Sequence, residues 1–415
     1  MISPCRIHRP RRLIDSLPLA FLFAAFLLVP RNEAIGQYAT GSTSETAGAA
    51  WGATVPLDIT AGVDIGYDDH VIGSNATGST GQSSFFAREN LVLSYDRPTK
   101  RTEVRLVAVG RFSQFFDLGT DDKDVNVTAA LTHNFSTRLS FRADVYAAYQ
   151  TEPNFQSNVG PENVRAPHFN TRDILSLTYH WLPRFNTVTS YTFDRTLYAQ
   201  SSSVGTSSNR TQQTLGEQFR FSLTSRTSLI GEYRFETINY DTVPNRNSII
   251  HLALAGVDHH LTEHLNFHVS GGESFLSLEN DGDSVSPYFE GSLGYTSGNH
   301  SLNWTTSYGF EAPTAANAST RKTWRTGLNL TYRLSSRVNS TAAVYYHHDE
   351  NGGSTSPGTS SAGTQESFDL TLGLRYTINK RFALHVDYQY TAQSSSGGTS
   401  GYSRNRYSAG LSFTY

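Results

Sequence analysis

From Leu57 to Tyr415 apolar and polar residues alternate with a period of two, in runs broken by turn formers. Leu139, Phe141, Ala143 and Val145 alternate with Ser140, Arg142 and Asp144. Leu229, Gly231, Tyr233 and Phe235 alternate with Glu232, Arg234 and Glu236. Phe368 to Tyr376 and Phe382 to Tyr390 repeat the pattern, with Asp369, Arg375, His385 and Asp387 on the polar side. Successive strand side chains point to opposite faces, so each run predicts a strand with one apolar and one charged face. No stretch carries a convincing helical period. Strand starts are expected near residues 57, 84, 101, 124, 138, 169, 184, 210, 227, 246, 264, 285, 300, 320, 337, 365, 381 and 402. That is about eighteen strands, an even number, with sixteen as the alternative. Asn247 to Leu261 has no clear polar face, and Glu89 and Glu217 fall on faces read as outward, which points to a bulge or a register error there.

A soluble sandwich has the same period, so the connections must decide. Tight turns are expected near Ser136-Thr137, Pro183, Ser225, Thr262-Glu263, Gly298-Asn299, Ser335-Ser336 and Asn379-Lys380. Between them lie long polar loops, Asp69 to Ser83, Thr151 to His168, Gln200 to Asn209 and Glu350 to Thr364. Short turns at one end and long loops at the other are the plan of an outer-membrane barrel. The hairpins also repeat: LTHNFSTRLSF from Leu131, LTYHWLPRFNT from Leu177, LTYRLSSRVNS from Leu330 and LRYTINKRFAL from Leu374 align without gaps. The repeat puts Tyr179, Trp181, Phe185, Tyr332, Tyr376 and Phe382 at one membrane interface, as an aromatic girdle. The fold expected is therefore all-β, a transmembrane antiparallel up-and-down barrel over residues 57–415.

Composition fits that class. The 415 residues are 37% hydrophobic, 12% aromatic and 17% charged. The mean hydropathy of −0.40 would suit a soluble protein, but barrels evade that measure because half of each strand faces the lumen. Arg6 to Arg12 precede the apolar run Leu17 to Val29, and Ala34-Ile35-Gly36 offers small residues for cleavage before Gln37. Residues 1–36 read as a signal peptide, and 37–56, rich in Gly, Ser, Thr and Ala, as a flexible periplasmic lead-in. Cys5 and Met1, the single cysteine and methionine, fall in the expected signal peptide, so thiol chemistry is excluded from the mature chain. Five arginines and two acids lie in residues 1–36, so the net charge goes from −3 to −6 without them. A mildly acidic chain without a basic stripe argues against nucleic acid as a partner.

The chain ends YSAGLSFTY, in which Ser408, Gly410, Phe413 and Tyr415 match the C-terminal assembly signal of bacterial outer-membrane proteins. The expected partners are outer-membrane lipid, the barrel-assembly machinery and small solutes or a polysaccharide. The inward face is where chemistry is expected. Arg105, Arg111, Arg142, Asp144, Arg220, Glu232, Arg234, Glu236, Arg325, Asp369, Arg375 and Asp387 are the candidate pore-lining residues. They form either a charged eyelet or ion-paired packing between strands. Mixed signs predict no strong ion selectivity. Glu152, Glu162, Arg165 and His168 could narrow the channel if their loop folds inward, although a surface loop is the default. The cluster His259, His260, His264 and His268 suggests a metal, but strand spacing sends neighbours to opposite faces. Asp64, Asp68, Asp69 and Asp121, Asp122, Asp124 lack a calcium-loop pattern. No cofactor, metal or catalytic residue is expected.

The repeated LTY-x-LxxR hairpin, with FNTRDILSLTYHWLPRFNTVTSYTFDRTLYAQ, resembles the type 2 family of bacterial β-barrel porins. The resemblance covers most of Leu57 to Tyr415. It implies an outer-membrane location and a role near exopolysaccharide export, and carries no catalytic residues. The function expected is a porin-like channel, against a closed structural or adhesion barrel and, last, a lipid-modifying enzyme with Ser and His on the outer wall.

Overall fold

The computed structural model describes residues 57–71, 82–151, 167–199, 208–279, 282–313, 318–352, 363–396 and 401–415. The expected signal peptide and lead-in lie outside them. The described residues form eighteen strands: β1 (Leu57–Asp68), β2 (Ser84–Pro98), β3 (Thr102–Phe115), β4 (Thr120–Asn134), β5 (Leu139–Gln150), β6 (His168–Leu182), β7 (Phe185–Tyr198), β8 (Arg210–Ser222), β9 (Thr227–Tyr240), β10 (Ser248–His260), β11 (Leu265–Leu278), β12 (Gly282–Ser297), β13 (His300–Phe310), β14 (Thr320–Arg333), β15 (Val338–Gly352), β16 (Gly363–Thr377), β17 (Phe382–Ser395) and β18 (Tyr402–Thr414). Each pairs antiparallel with its sequence neighbours, and β18 pairs with β1 from Thr60↔Thr414 to Asp68↔Arg406. The sheet thus closes, leaving no edge and satisfying its backbone groups internally, as lipid demands.

The alternation sorts the two faces. Ile65, Leu215, Val285, Leu374, Leu384 and Val386 stand exposed on the outside, whereas Asp64, Asp194, Asp369 and Ser412 are buried on the inside. An apolar band of this extent on an outer wall suits lipid rather than water. The girdle residues Trp181, Tyr332, Tyr376 and Phe382 belong to this exposed face, beside the short turns. Glu89 and Glu217 do face outward, but no bulge accompanies them. Their strands keep register throughout, Glu89 opposite Val63 and Phe112, and Glu217 accepting a 2.6 Å bond from Thr189 Oγ1. The register shift lies instead between His180 and Leu182.

The repeated hairpin has one construction. Ser136, Thr224, Thr262 and Ser335 each accept backbone N–H groups two and three residues ahead, and Asn379 and Thr99 do the same. Such side-chain bonds hold a tight turn without a strained backbone. An exposed apolar residue precedes the acceptor, as in Phe135, Leu223, Leu261, Leu334 and Ile378. The residue that ends each turn offers its carbonyl to the neighbouring hairpin. Arg101, Arg138, Arg184, Arg226, Arg337 and Arg381 do so in six turns, His264 and Asn299 in the other two.

β4 and β12 begin earlier than expected, at Thr120 and Gly282, after Gly119 and at Gly282 itself, both with positive φ. Pairing continues there beyond the apolar belt, where Asp121, Asp122 and Lys123 put polar groups on both faces and erase the alternation. β10 has the opposite problem. Its inward Ile250, Leu252 and Leu254 are buried against Ile238, Leu276, Leu278, Phe310 and Ala312, so both of its faces are apolar.

Candidate functional site

At the long-loop end two groups of residues pack on the inward face. The 3-10 turn Pro244–Arg246 and residues 311–313 fold over the apolar wall of β9–β11. Arg246 is fully buried: its Nη2 donates to Pro313 O at 2.6 Å, and its guanidinium lies 4.3 Å from the Tyr240 ring centre. Tyr240 Oη donates to the same carbonyl at 2.7 Å. The second thickening involves β1–β3 and β18. Val71, Phe86 and Phe115 pack together, Arg406 stacks on both rings, and Arg404 pairs with Asp68. β1 and β10 lie nine places apart in the closed ring of eighteen, so the two thickenings occupy opposite walls.

Glu311 anchors one of them. It accepts from Arg325 Nε and Nη2 at 2.6 Å each and from Arg321 Nη2 at 2.9 Å. Arg321 also reaches Asp349 at 3.2 Å. Burial pushes the Glu311 carboxyl up, but the two guanidiniums pull it further down, below its ordinary range. A depressed carboxylate stabilises the fold fully above its unfolded value, about 4.3, and that contribution is lost as pH falls through the lower folded value. The Glu311 amide, bonded to Arg321 O at 3.0 Å, should therefore keep its hydrogen-exchange protection from pH 7 to 5. It should lose protection, after correction for intrinsic rates, only in more acid solution.

By alternation all twelve candidate lining residues fall on the inward face. Arg234 is the hub of the largest network. It contacts Glu232 on its own strand at 2.5 Å and crosses β10 and β11 to Glu290 at 2.6 and 2.9 Å. Gly256 and Gly272 are inward positions on the two strands between, and an added Cβ at either would meet neighbouring backbone, at 2.7 and 1.9 Å. Ser270 and Tyr288 also donate to Glu290. His268 binds Asp258 at 2.6 Å, and Arg220 meets Asp258 at 3.2 Å. Arg142 and Asp144 pair at 2.5 Å. Glu236 accepts from Gln212 at 2.9 Å, and Asp369 from Thr391 at 2.6 Å. Arg325 belongs to the Glu311 anchor. Arg105, Arg111, Arg375 and Asp387 face inward without a side-chain hydrogen bond among the described residues.

Sequence reasoning missed several pairs, among them Arg321–Asp349, Arg404–Asp68 and Asp64–His385. Asp64, weighed only as a surface calcium ligand, is buried and accepts from His385 Nε2 at 2.6 Å and Asn90 Nδ2 at 2.7 Å. The two partners sit on β1 and β17, either side of Gly410 on β18. The barrel's closure alone brings them together. Ser408 faces inward near them, Phe413 packs outward on Phe382 at 5.2 Å, and the Tyr415 backbone exchanges bonds with Ile59. Of the loop offered as a constriction, Glu152, Glu162 and Arg165 lie outside the described residues; His168 is buried beside Tyr198. Of the four histidines, His259 bonds Thr227 outside, while His268 binds Asp258 on the inward face and His260 lines the same cavity as Asp258. Asp68 and Asp69 are held by Arg404 and Asn405, and Asp124 accepts from the Thr151 amide.

The family model for the outer membrane protein beta-barrel domain matches residues 250–414, which span most of β10 to β18. No curated protein matches the chain. Among solved structures it is similar to Pseudomonas aeruginosa OpdK with vanillate, at 13% identity and a TM-score of 0.42 over 86% of this chain and 99% of that one. It is also similar to the siderophore receptor PirA of the same organism, at 11% and 0.39 over 87% and 81%. With the copper transporter OprC the figures are 12% and 0.42 over 87% and 80%. The closed barrel with its lipid-facing wall and the domain match agree, and the chain is a β-barrel protein of the bacterial outer membrane.

Proposed function

We propose that the protein is a porin-like channel for small solutes, narrowed at its outer mouth, with no catalytic role. The observation that supports this most is the inward face. Across the middle of the barrel it carries arginines, carboxylates, serines and threonines, with isolated apolar residues such as Val109, while the two apolar clusters belong to the thickenings. A barrel of this strand number leaves an aqueous lumen, and outer-membrane barrels carry their long loops outside. The pore-lining role of the twelve inward residues and the link to exopolysaccharide export belong to the same proposal, as does recognition of the C-terminal strand by the assembly machinery.

The Arg234–Glu290 bridge favours a second reading, a closed barrel braced across its lumen. Planar-bilayer recording separates the two. The wild type should give discrete conductance steps. Arg246→Ala removes the bond that holds residues 311–313 down, a charge-assisted contact worth about 1.5–3 kcal/mol, and should raise unit conductance measurably. Folded protein that never conducts, with or without this substitution, would remove the channel in favour of the closed barrel.

A further inference from the structure

The short-turn end carries a charge pattern that the channel reading does not require. Six arginines occupy one equivalent position, each closing its turn with a carbonyl to the next hairpin. Each immediately precedes the return strand, one residue before an outward position in Arg138, Arg184, Arg337 and Arg381, so alternation turns it toward the lumen. All six are exposed, and among the described residues none has a side-chain partner. The eight turns contribute one acid, Glu263. The chain as a whole is acidic, at −3, so this basicity is local. Between two of the turns lies an open cavity of about 540 Å³, lined by Arg184, Arg220, Arg226, Asp258 and His260. Its one carboxylate, Asp258, is already held by Arg220 and His268.

We propose that this collar is a docking site for soluble multivalent anions at the periplasmic mouth, seated first between Arg184 and Arg226. Neighbouring positions are two strands apart, about 10 Å across the sheet. One exposed guanidinium in water holds a single charge only weakly. A solute with several phosphates or carboxylates meets two or three guanidiniums at once, and a mouth lined by one sign of charge raises its local concentration. A phospholipid headgroup is the weaker match in position. The lipid side of these turns presents Phe135, Leu182, Leu223, Leu261, Leu334 and Ile378, while Arg184 and Arg226 share a cavity with the inward Arg220 and Asp258 and alternation sends the other four the same way. The collar deepens the channel reading by naming the charge class of its solute, but its chemistry can be measured without transport.

The test is calorimetric titration of the full barrel with sodium tripolyphosphate in a non-ionic detergent free of phospholipid. Wild type should bind. Arg184→Gln with Arg226→Gln should weaken binding about tenfold or more, while Arg184→Lys with Arg226→Lys should keep most of it. A heat-dependent gel shift confirms that each variant is folded. No binding by wild type, or equal binding by the glutamine variant, overturns the collar. So does loss of binding on moving the protein from phosphatidylcholine to phosphatidylglycerol nanodiscs, which would assign the arginines to lipid. Binding without conductance would leave the collar standing and remove the channel; conductance without binding would do the reverse.

Discussion

Gly410→Val is expected to abolish most of the folded protein, although valine suits a strand better than glycine does. A Cβ at this position would stand 2.1 Å from Asp64 Oδ1, 2.7 Å from His385 Nε2 and 2.7 Å from the Val63 carbonyl. The first two are the atoms of the bond that ties β17 to β1 across β18. The carboxylate could swing away, but the Val63 carbonyl belongs to the closing strand itself. Overpacking costs about 1–3 kcal/mol, and separating a buried charged pair adds roughly 3–5 kcal/mol. Gly110→Val is the control. That glycine faces outward on β3, and an added Cβ there meets nothing within 4 Å. The fraction that resists SDS without heating should fall several-fold for the first variant and stay near wild type for the second. Similar losses from both would show that strand glycine in general is needed, and would detach the effect from the seam.

Deleting Phe413 to Tyr415 should be nearly as severe. The deletion removes the Phe382–Phe413 contact, the Thr60–Thr414 hydroxyl bond at 2.9 Å and the paired backbone bonds between Ile59 and Tyr415. It also frays the closing edge, and lipid offers no water to satisfy the freed groups. Three residues taken from within 353–362, between β15 and β16, remove none of these bonds. The folded outer-membrane fraction should therefore drop far more for the terminal deletion. Equal losses would deny the terminal aromatics the part in closure and assembly proposed for them.

Much of the fold was legible because a barrel strand obeys a local rule. The period of two fixes which side chains face lipid, and the turn chemistry of Ser136, Thr224, Thr262, Ser335 and Asn379 fixes where strands reverse. Both depend on residues close in sequence. The rule failed where its premise failed. On β10 the inward side chains are apolar because loops fold onto them, and at the start of β4 the strand runs past the lipid belt.

The candidate site was legible in its parts and not in its connections. Alternation alone puts Arg234 and Glu290 on the same inner face, but they lie three strands apart. Their contact spans β10 and β11, where Gly256 and Gly272 leave two inward positions without a side chain. Asp64 and His385 are separated by most of the chain, and no local pattern links them; closure of β18 on β1 makes them neighbours. The inward fold of Pro244–Arg246 likewise depends on a carbonyl at Pro313, contributed by a different loop. The sequence by itself determined the strand periodicity, the two faces, the short turns and the membrane setting, since each follows from the alternation and turn residues within one hairpin. The tertiary structure decided which inward charges meet and where loops pack on the inner wall, because those contacts join residues that only the curvature and closure of the barrel bring within reach.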